Sequence, residues 1–300
     1  MSVTPFDDRG RFDEEALREH VRWLTAEGVS TVPASVSTGE GTLLTDAELL
    51  RTYEIVVEES AGRFPVLAAN REFPTARENI EFARQAQVRG VDAVQVYPPT
   101  LGHAQTPTVD MLDSFYDEVL PEINLPVLVS NNSFTGFEPP LAVHERLVDR
   151  HENVAGFFKN SPDFLNSATF YARLAPRVTV LTGFVRLPMA FLLGVRGELD
   201  NVQNVAPRTC RTVHDALHAG DLAAAGAAYA DLVRVIAGIS AFCRDEGLGR
   251  VPVVKGILRA LGRPGALHTR SPHRPIGSAQ QSKLGDLVAS WKLRELEGMS

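Results

Sequence analysis

An α/β fold is predicted by three features of the 300-residue sequence. Short β-branched runs alternate strictly with longer helical patterns, eight times over. The strand runs are apolar almost throughout, as in a parallel sheet covered on both faces. From about residue 220 onward the pattern turns to helix alone. Eight βα units favour a closed (β/α)8 TIM barrel over an open doubly wound sheet. The reading is therefore a barrel over residues 1–219 followed by a C-terminal helical extension over 220–300 packed on it.

The strands are read at 3–4, 31–34, 66–69, 93–96, 127–130, 154–158, 178–181 and 199–202. Helices are read at 13–27, 46–60, 75–89, 109–121, 140–150, 163–174, 186–193 and 208–218. Several begin with capping signals: Asp13 before Glu14 and Glu15, Thr45-Asp46, Pro74-Thr75 and Pro162-Asp163. Three further helices, at 223–241, 253–261 and 280–297, make up the extension, with a loop at 262–277 rich in Pro, Gly and His. The first strand is short because Pro5 follows it at once, so the barrel closes with a stub there or the true start lies upstream.

Composition narrows the function. A net charge of −7 provides no basic footprint for nucleic acid or an anionic membrane surface. The two cysteines, Cys210 and Cys243, lie in no metal-ligand spacing and suit a reducing cytosol. The N-terminus has no apolar signal core. The longest apolar run, 187–195, is too short for a bilayer, which needs roughly twenty residues. A cytoplasmic protein with a small-molecule substrate is expected, without nucleic-acid or membrane partners. No set of His, Asp and Glu gathers at the strand ends, so no metal and no cofactor is expected.

In a barrel of this kind the chemistry sits at the C-terminal strand ends. One residue there stands out. The chain holds 26 arginines but only four lysines, Lys159, Lys255, Lys283 and Lys292. A lysine amine can lose its proton and attack a carbonyl, which arginine cannot do. Lys159 closes the apolar run 154–158, so its amine is expected to emerge into the barrel mouth with its pKa lowered by desolvation. The same position also suits a lysine simply paired with a carboxylate. The other three lysines fall in the helical extension, where solvated or packing roles are expected.

These residues bring a family into view. The chain resembles the dihydrodipicolinate synthase / N-acetylneuraminate lyase family of class I aldolases along nearly its whole length. The resemblance rests on Val3-Thr4-Pro5-Phe6 followed by 13–17, on Ser37-Thr38-Gly39-Glu40 with Leu44-Thr45, and on Pro98-Pro99. Leu125-Pro126, Asn153-Val154 running into Lys159, and Asn204-Val205-Ala206-Pro207 complete it. It implies that Lys159 is the Schiff-base lysine for pyruvate or a related 2-oxo acid. It implies too that the turn Ser37-Thr38-Gly39 binds the substrate carboxylate, which suits the backbone N–H nest of a tight turn. Homo-oligomers, tetramers or dimers, are implied as well; apolar stretches at 222–229 and 233–242 agree.

Departures from the family pattern are as informative. Its proton-relaying tyrosine falls on Ser130, and a second tyrosine falls on Leu101. The first glycine of the carboxylate loop falls on Val36. An arginine that the synthases carry after the fifth strand is absent from 131–136. Authentic dihydrodipicolinate synthase activity is therefore not expected. Candidate replacements for acid–base work are Tyr97, the one tyrosine outside the helices, and His103, a histidine on a loop of the catalytic face. Arg71, Asn131, Gly183 and Asp200 are expected to line the substrate site. The expected reactions are carbon–carbon bond cleavage or formation through the imine, or dehydration of a 2-keto-3-deoxy sugar acid through the same imine. A non-catalytic homologue that binds a 2-oxo acid is the remaining alternative.

Overall fold

The computed structural model describes residues 1–103, 105–263 and 268–299. Part of the loop read at 262–277, residues 264–267, lies outside them. In chain order the regular elements begin with α1 (Glu14–Ala26) and α2 (Asp46–Ser60). There follow β1 (Leu67–Ala69), α3 (Ala76–Val88), β2 (Ala93–Val96), α4 (Val109–Val119), β3 (Val127–Asn132) and α5 (Leu141–Arg150). Next come β4 (Val154–Asn160), α6 (Phe164–Leu174), β5 (Thr179–Thr182), α7 (Leu187–Leu192) and β6 (Gly197–Glu198). The chain continues with α8 (Pro207–Ala219), α9 (Leu222–Glu246), α10 (Arg250–Ala260), α11 (Ser278–Ser290) and α12 (Leu293–Leu296).

The capping signals act as read. Asp13 accepts from Ala16 N and Asp163 from Asn166 N, while Thr45 and Thr75 each form a capping box with the glutamate three residues on. Each cap satisfies N–H groups that a helix cannot pair internally.

Two compact units divide the chain: Met1–Phe64 with Asn201–Ser300, and Pro65–Asp200. In the second unit β1 to β6 form one parallel sheet in sequential order, with α3 to α7 in the connections. The β3–β4 register skips Ala155, since Val127 faces Val154 and Leu128 faces Gly156. That extra residue is a bulge, and it sets which side chains of β4 face which way.

The first unit holds α1, α2 and α8 to α12, with α1 against α2 and α9 between α8 and α10. The eight expected strands are corrected to six among the described residues. Segments 3–4 and 31–34 form no strand there. Pro5 and Pro33 lack the N–H a ladder needs, and Ala34 turns the chain at φ 51°. Ser2 N still donates to Val32 O at 3.0 Å. The strand read at 199–202 is also corrected: β6 ends at Glu198, and 202–204 wind into a 3₁₀ turn.

α9 is long and apolar enough to cross a membrane by length and composition. Asp231 and Arg234 interrupt its apolar run, so no unbroken apolar stretch marks it in the sequence. It lies against α8 and α10 and buries Ala225, Leu232, Val235, Ile239 and Phe242.

Candidate active site

The expected nucleophile lies at the C-terminal end of β4, and it is fully buried. In a parallel sheet, residues in register face the same side. Lys159 pairs with Asn131 on β3 and with Thr182 on β5. Thr182 Oγ1 contacts the Tyr171 hydroxyl of α6 at 2.6 Å. Two residues before Lys159, Phe157 packs edge-on against His144 of α5 and Phe170 of α6. The Lys159 amine itself stands 5.3 Å from the centre of the Phe170 ring. Lys159 therefore faces the helices α5 and α6. The expectation that its amine emerges into the barrel mouth is corrected, and Ser130 pairs with Phe158, on the opposite face of the sheet. The bulge at Ala155 sets this parity.

The lysine has a partner that the sequence did not disclose. Its Nζ donates to Glu138 Oε2, from the loop between β3 and α5. Burial pulls the Lys159 pKa below the usual lysine range, and contact with Glu138 opposes that shift. On the same face, Asn131 is buried and its Oδ1 has no hydrogen-bond partner among the described residues. His144 is buried beside them, its ring nitrogen Nδ1 3.1 Å from Pro140 O, and burial drives its pKa down to about 3.

The opposite face of the sheet carries polar groups around Phe158. Asn132 Nδ2 donates to Ser130 Oγ at 2.7 Å, and Arg186 Nη1 donates to Asn160 Oδ1 at 3.0 Å. A Cβ on Gly183 would lie 3.3 Å from Asn160 Oδ1 and 3.7 Å from Asp200 Oδ2. Asp200 follows β6 and accepts from Phe184 N at 3.0 Å, so one expected ligand of substrate fixes a turn of its own chain. Tyr97 directly follows β2 and is buried; its pKa is raised by desolvation and then by Glu72. His103 is exposed in a left-handed turn at φ 46°. Arg71 follows β1, with its guanidinium 5.5 Å from the Phe73 ring. The second unit thus brings Lys159 and Asn131 together on one face, and places Ser130 on the other.

In the first unit, the turn Ser37-Thr38-Gly39 precedes a 3₁₀ turn, Gly41–Leu43. Glu40 N donates to Ser37 O at 3.1 Å, and Gly41 N to Ser35 O at 3.1 Å. Ser37 is exposed and Thr38 is buried. Among the described residues, the amides of Ser37 and Thr38 and the Thr38 hydroxyl have no hydrogen-bond partner. Unspent donors in a tight turn are what an anion requires. Behind the turn, Lys255 is corrected from a solvated or merely packed lysine to a buried one paired with Glu40. These partners are 215 residues apart, and nothing local marks either.

No group of three or more His, Cys, Asp or Glu that could hold a metal ion occurs among the described residues.

Residues 1–290 match the model of the dihydrodipicolinate synthetase family. The chain is 29% identical over 297 residues to a DapA-like lyase of Rhizobium meliloti, covering 98% of this chain and 95% of that one. It is 30% identical over 295 residues to a probable 5-dehydro-4-deoxyglucarate dehydratase of Pseudarthrobacter chlorophenolicus, covering 96% and 92%. Its fold matches that of YagE, a prophage protein of E. coli K12 solved with pyruvate, at a TM-score of 0.86 and 24% identity over 97% and 96% of the two chains.

Proposed function

The chain belongs to the dihydrodipicolinate synthetase family, and from that membership we propose a lyase that forms an imine between Lys159 and pyruvate or a related 2-oxo acid. The observation that carries this is the state of Lys159. It is a buried amine at a strand's C-terminal end, less basic than an ordinary lysine, with the Glu138 carboxylate in contact. An unprotonated amine adds to the C2 carbonyl, and loss of water leaves the imine. The protonated imine then draws electrons from the neighbouring carbon, which releases a proton or an aldehyde, or expels a hydroxyl one carbon further on. Glu138 is placed to take the amine's proton. Since Lys159 faces α5 and α6, Glu138 must release it before substrate reaches it.

In the first unit, the free donors of Ser37 and Thr38, with Gly39 shaping the turn, are proposed to bind the substrate carboxylate. Acid–base roles for Ser130, Tyr97 and His103, and substrate contacts for Arg71, Asn131, Gly183 and Asp200, belong to the same proposal. So do a closed barrel over 1–219 with the helical segment 220–300, a homotetramer or dimer, and a cytoplasmic location. The dehydratase name of the 30%-identical relative makes a 2-keto-3-deoxy sugar acid the main alternative substrate.

One observation favours a second reading. Phe158, not Lys159, shares the face of Ser130, as expected of a homologue that binds a 2-oxo acid there without covalent turnover. A panel of 2-oxo acids and 2-keto-3-deoxy sugar acids, assayed by product detection with wild type and Lys159→Arg, separates the two. Turnover lost in Lys159→Arg supports the lyase; saturable binding with no turnover by wild type supports the homologue.

A further inference from the structure

The pair Lys255 and Glu40 has no part in the chemistry above, yet both of its side chains are almost wholly buried. Lys255 lies in the middle of α10. Its Nζ donates to Glu40 Oε2 and, at 2.8 Å, to His268 O, and it stands 4.6 Å from the Phe6 ring centre. Glu40 Oε1 has no hydrogen-bond partner among the described residues, with His273 Nε2 3.9 Å away. Burial pulls Lys255 below the lysine range and pushes Glu40 above the carboxylate range.

Glu40 is the residue at which the Ser37-Thr38 turn reverses. Its φ of 52° is left-handed, a region an L-residue rarely adopts because its Cβ crowds the following carbonyl oxygen. The flanking glycines press on the backbone of Ala34 and Ser35. A Cβ on Gly39 would stand 2.4 Å from Ser35 N, and one on Gly41 2.1 Å from Ala34 O. Gly39 is also tied at both ends: its carbonyl accepts from Thr4 Oγ1 at 2.6 Å, and its N–H donates to Ser35 Oγ at 3.0 Å. The turn is thus held at Gly39 by its neighbours and at Glu40 from a helix more than two hundred residues away.

A buried ion pair is a poor device for stability alone, because two charges leave water and an apolar pair of similar size does as well. What it supplies is direction, since one carboxylate oxygen is pinned to one amine. We propose that Lys255 is a positioning residue which, by holding Glu40 in its left-handed conformation, keeps the Ser37 and Thr38 donors aimed at a substrate carboxylate. This rests on the assignment of that turn to the carboxylate.

The test is pyruvate binding by calorimetry on the full chain, well below the melting temperature. Wild type is compared with Thr38→Val, with Lys255→Met, and with the double variant Lys255→Met/Glu40→Gln, which removes both charges and so leaves none buried alone. The expected result is a double variant with native circular dichroism whose pyruvate Kd is raised by about tenfold, the scale on which an orienting partner acts. A merely structural pair would shift the melting temperature and leave Kd in place. A folded double variant within twofold of wild type, alongside a weakened Thr38→Val, overturns the positioning role and spares the carboxylate assignment. No pyruvate binding by wild type, or an unchanged Kd in Thr38→Val, overturns that assignment and the proposal with it. A double variant that cannot fold places the pair in stability and also overturns it.

Discussion

The buried Lys159 of β4 forms an ion pair with the partly buried Glu138 of the β3–α5 loop on the helix-facing side of the sheet. Desolvation and the carboxylate pull the amine in opposite directions, and desolvation is the larger. The amine therefore gives up its proton more readily than a solvated lysine.

Glu138→Gln tests that balance. Without the carboxylate the folded-state pKa of Lys159 falls further below its unfolded value. In the window between those values the unfolded chain holds more protons, so stability rises with pH across it. The variant is expected to lose about 3 kcal/mol at pH 6, on the scale of a broken buried pair, and to recover part of that toward pH 10. Denaturant midpoints at the two pH values measure it; a deficit independent of pH contradicts the pairing.

His144 makes a prediction of the same sign at lower pH. Its folded pKa of about 3 lies below the ordinary 6.5, as does that of His20 at about 4. The unfolded chain then binds more protons between those values, so stability is lost as pH falls below about 6.5. Each buried histidine contributes a slope of about 1.4 kcal/mol per pH unit at most. His144→Phe, set between Phe157 and Phe170, is expected to flatten the acid limb of the melting profile between pH 6.5 and 4. A variant with the wild-type slope contradicts the assignment.

How much of this was legible in the sequence follows from where each signal lies. Helix starts were legible because Asp13, Thr45, Thr75 and Asp163 act on N–H groups within three residues of themselves. The segments 3–4 and 31–34 read as strands from their β-branched residues, but Pro5 and Pro33 outweigh that propensity. The position of Lys159 at a strand end was legible; the face it takes was not. The run 154–158 is apolar on both faces, so no alternation records its parity, and a one-residue slip inverts every side chain. Glu138 is 21 residues from its lysine and Glu40 is 215 from its own. Pairings at such separations leave no local pattern.

Gly39→Ala and Gly41→Ala are expected to abolish binding of 2-oxo acids while leaving most of the secondary structure. The added methyl would meet backbone atoms of Ala34 and Ser35 at 2.1–2.4 Å, where nothing flexible can yield. Calorimetry with pyruvate checks this. Wild-type affinity in Gly41→Ala would remove the turn from the binding site.

Condensation of pyruvate with aspartate semialdehyde is expected to be negligible. The resemblance read in the sequence implies that Ser130 and Leu101 fall where the synthases have tyrosines, and Ser130 Oγ already accepts from Asn132. Complementation of a strain lacking the lysine-pathway synthase is the check, with no growth as the expected result. Robust growth would show that another residue, such as Tyr97, carries the relay.

Imine formation on Lys159 is read out by borohydride trapping. Wild type and Lys159→Arg are incubated with pyruvate and with other 2-oxo acids, reduced, and mapped by peptide mass spectrometry. One stable adduct per chain is expected, on the peptide containing Lys159, and none in Lys159→Arg, which keeps the charge but cannot form an imine. Trapping on the Lys255 peptide, or no adduct with any 2-oxo acid that binds, would contradict it.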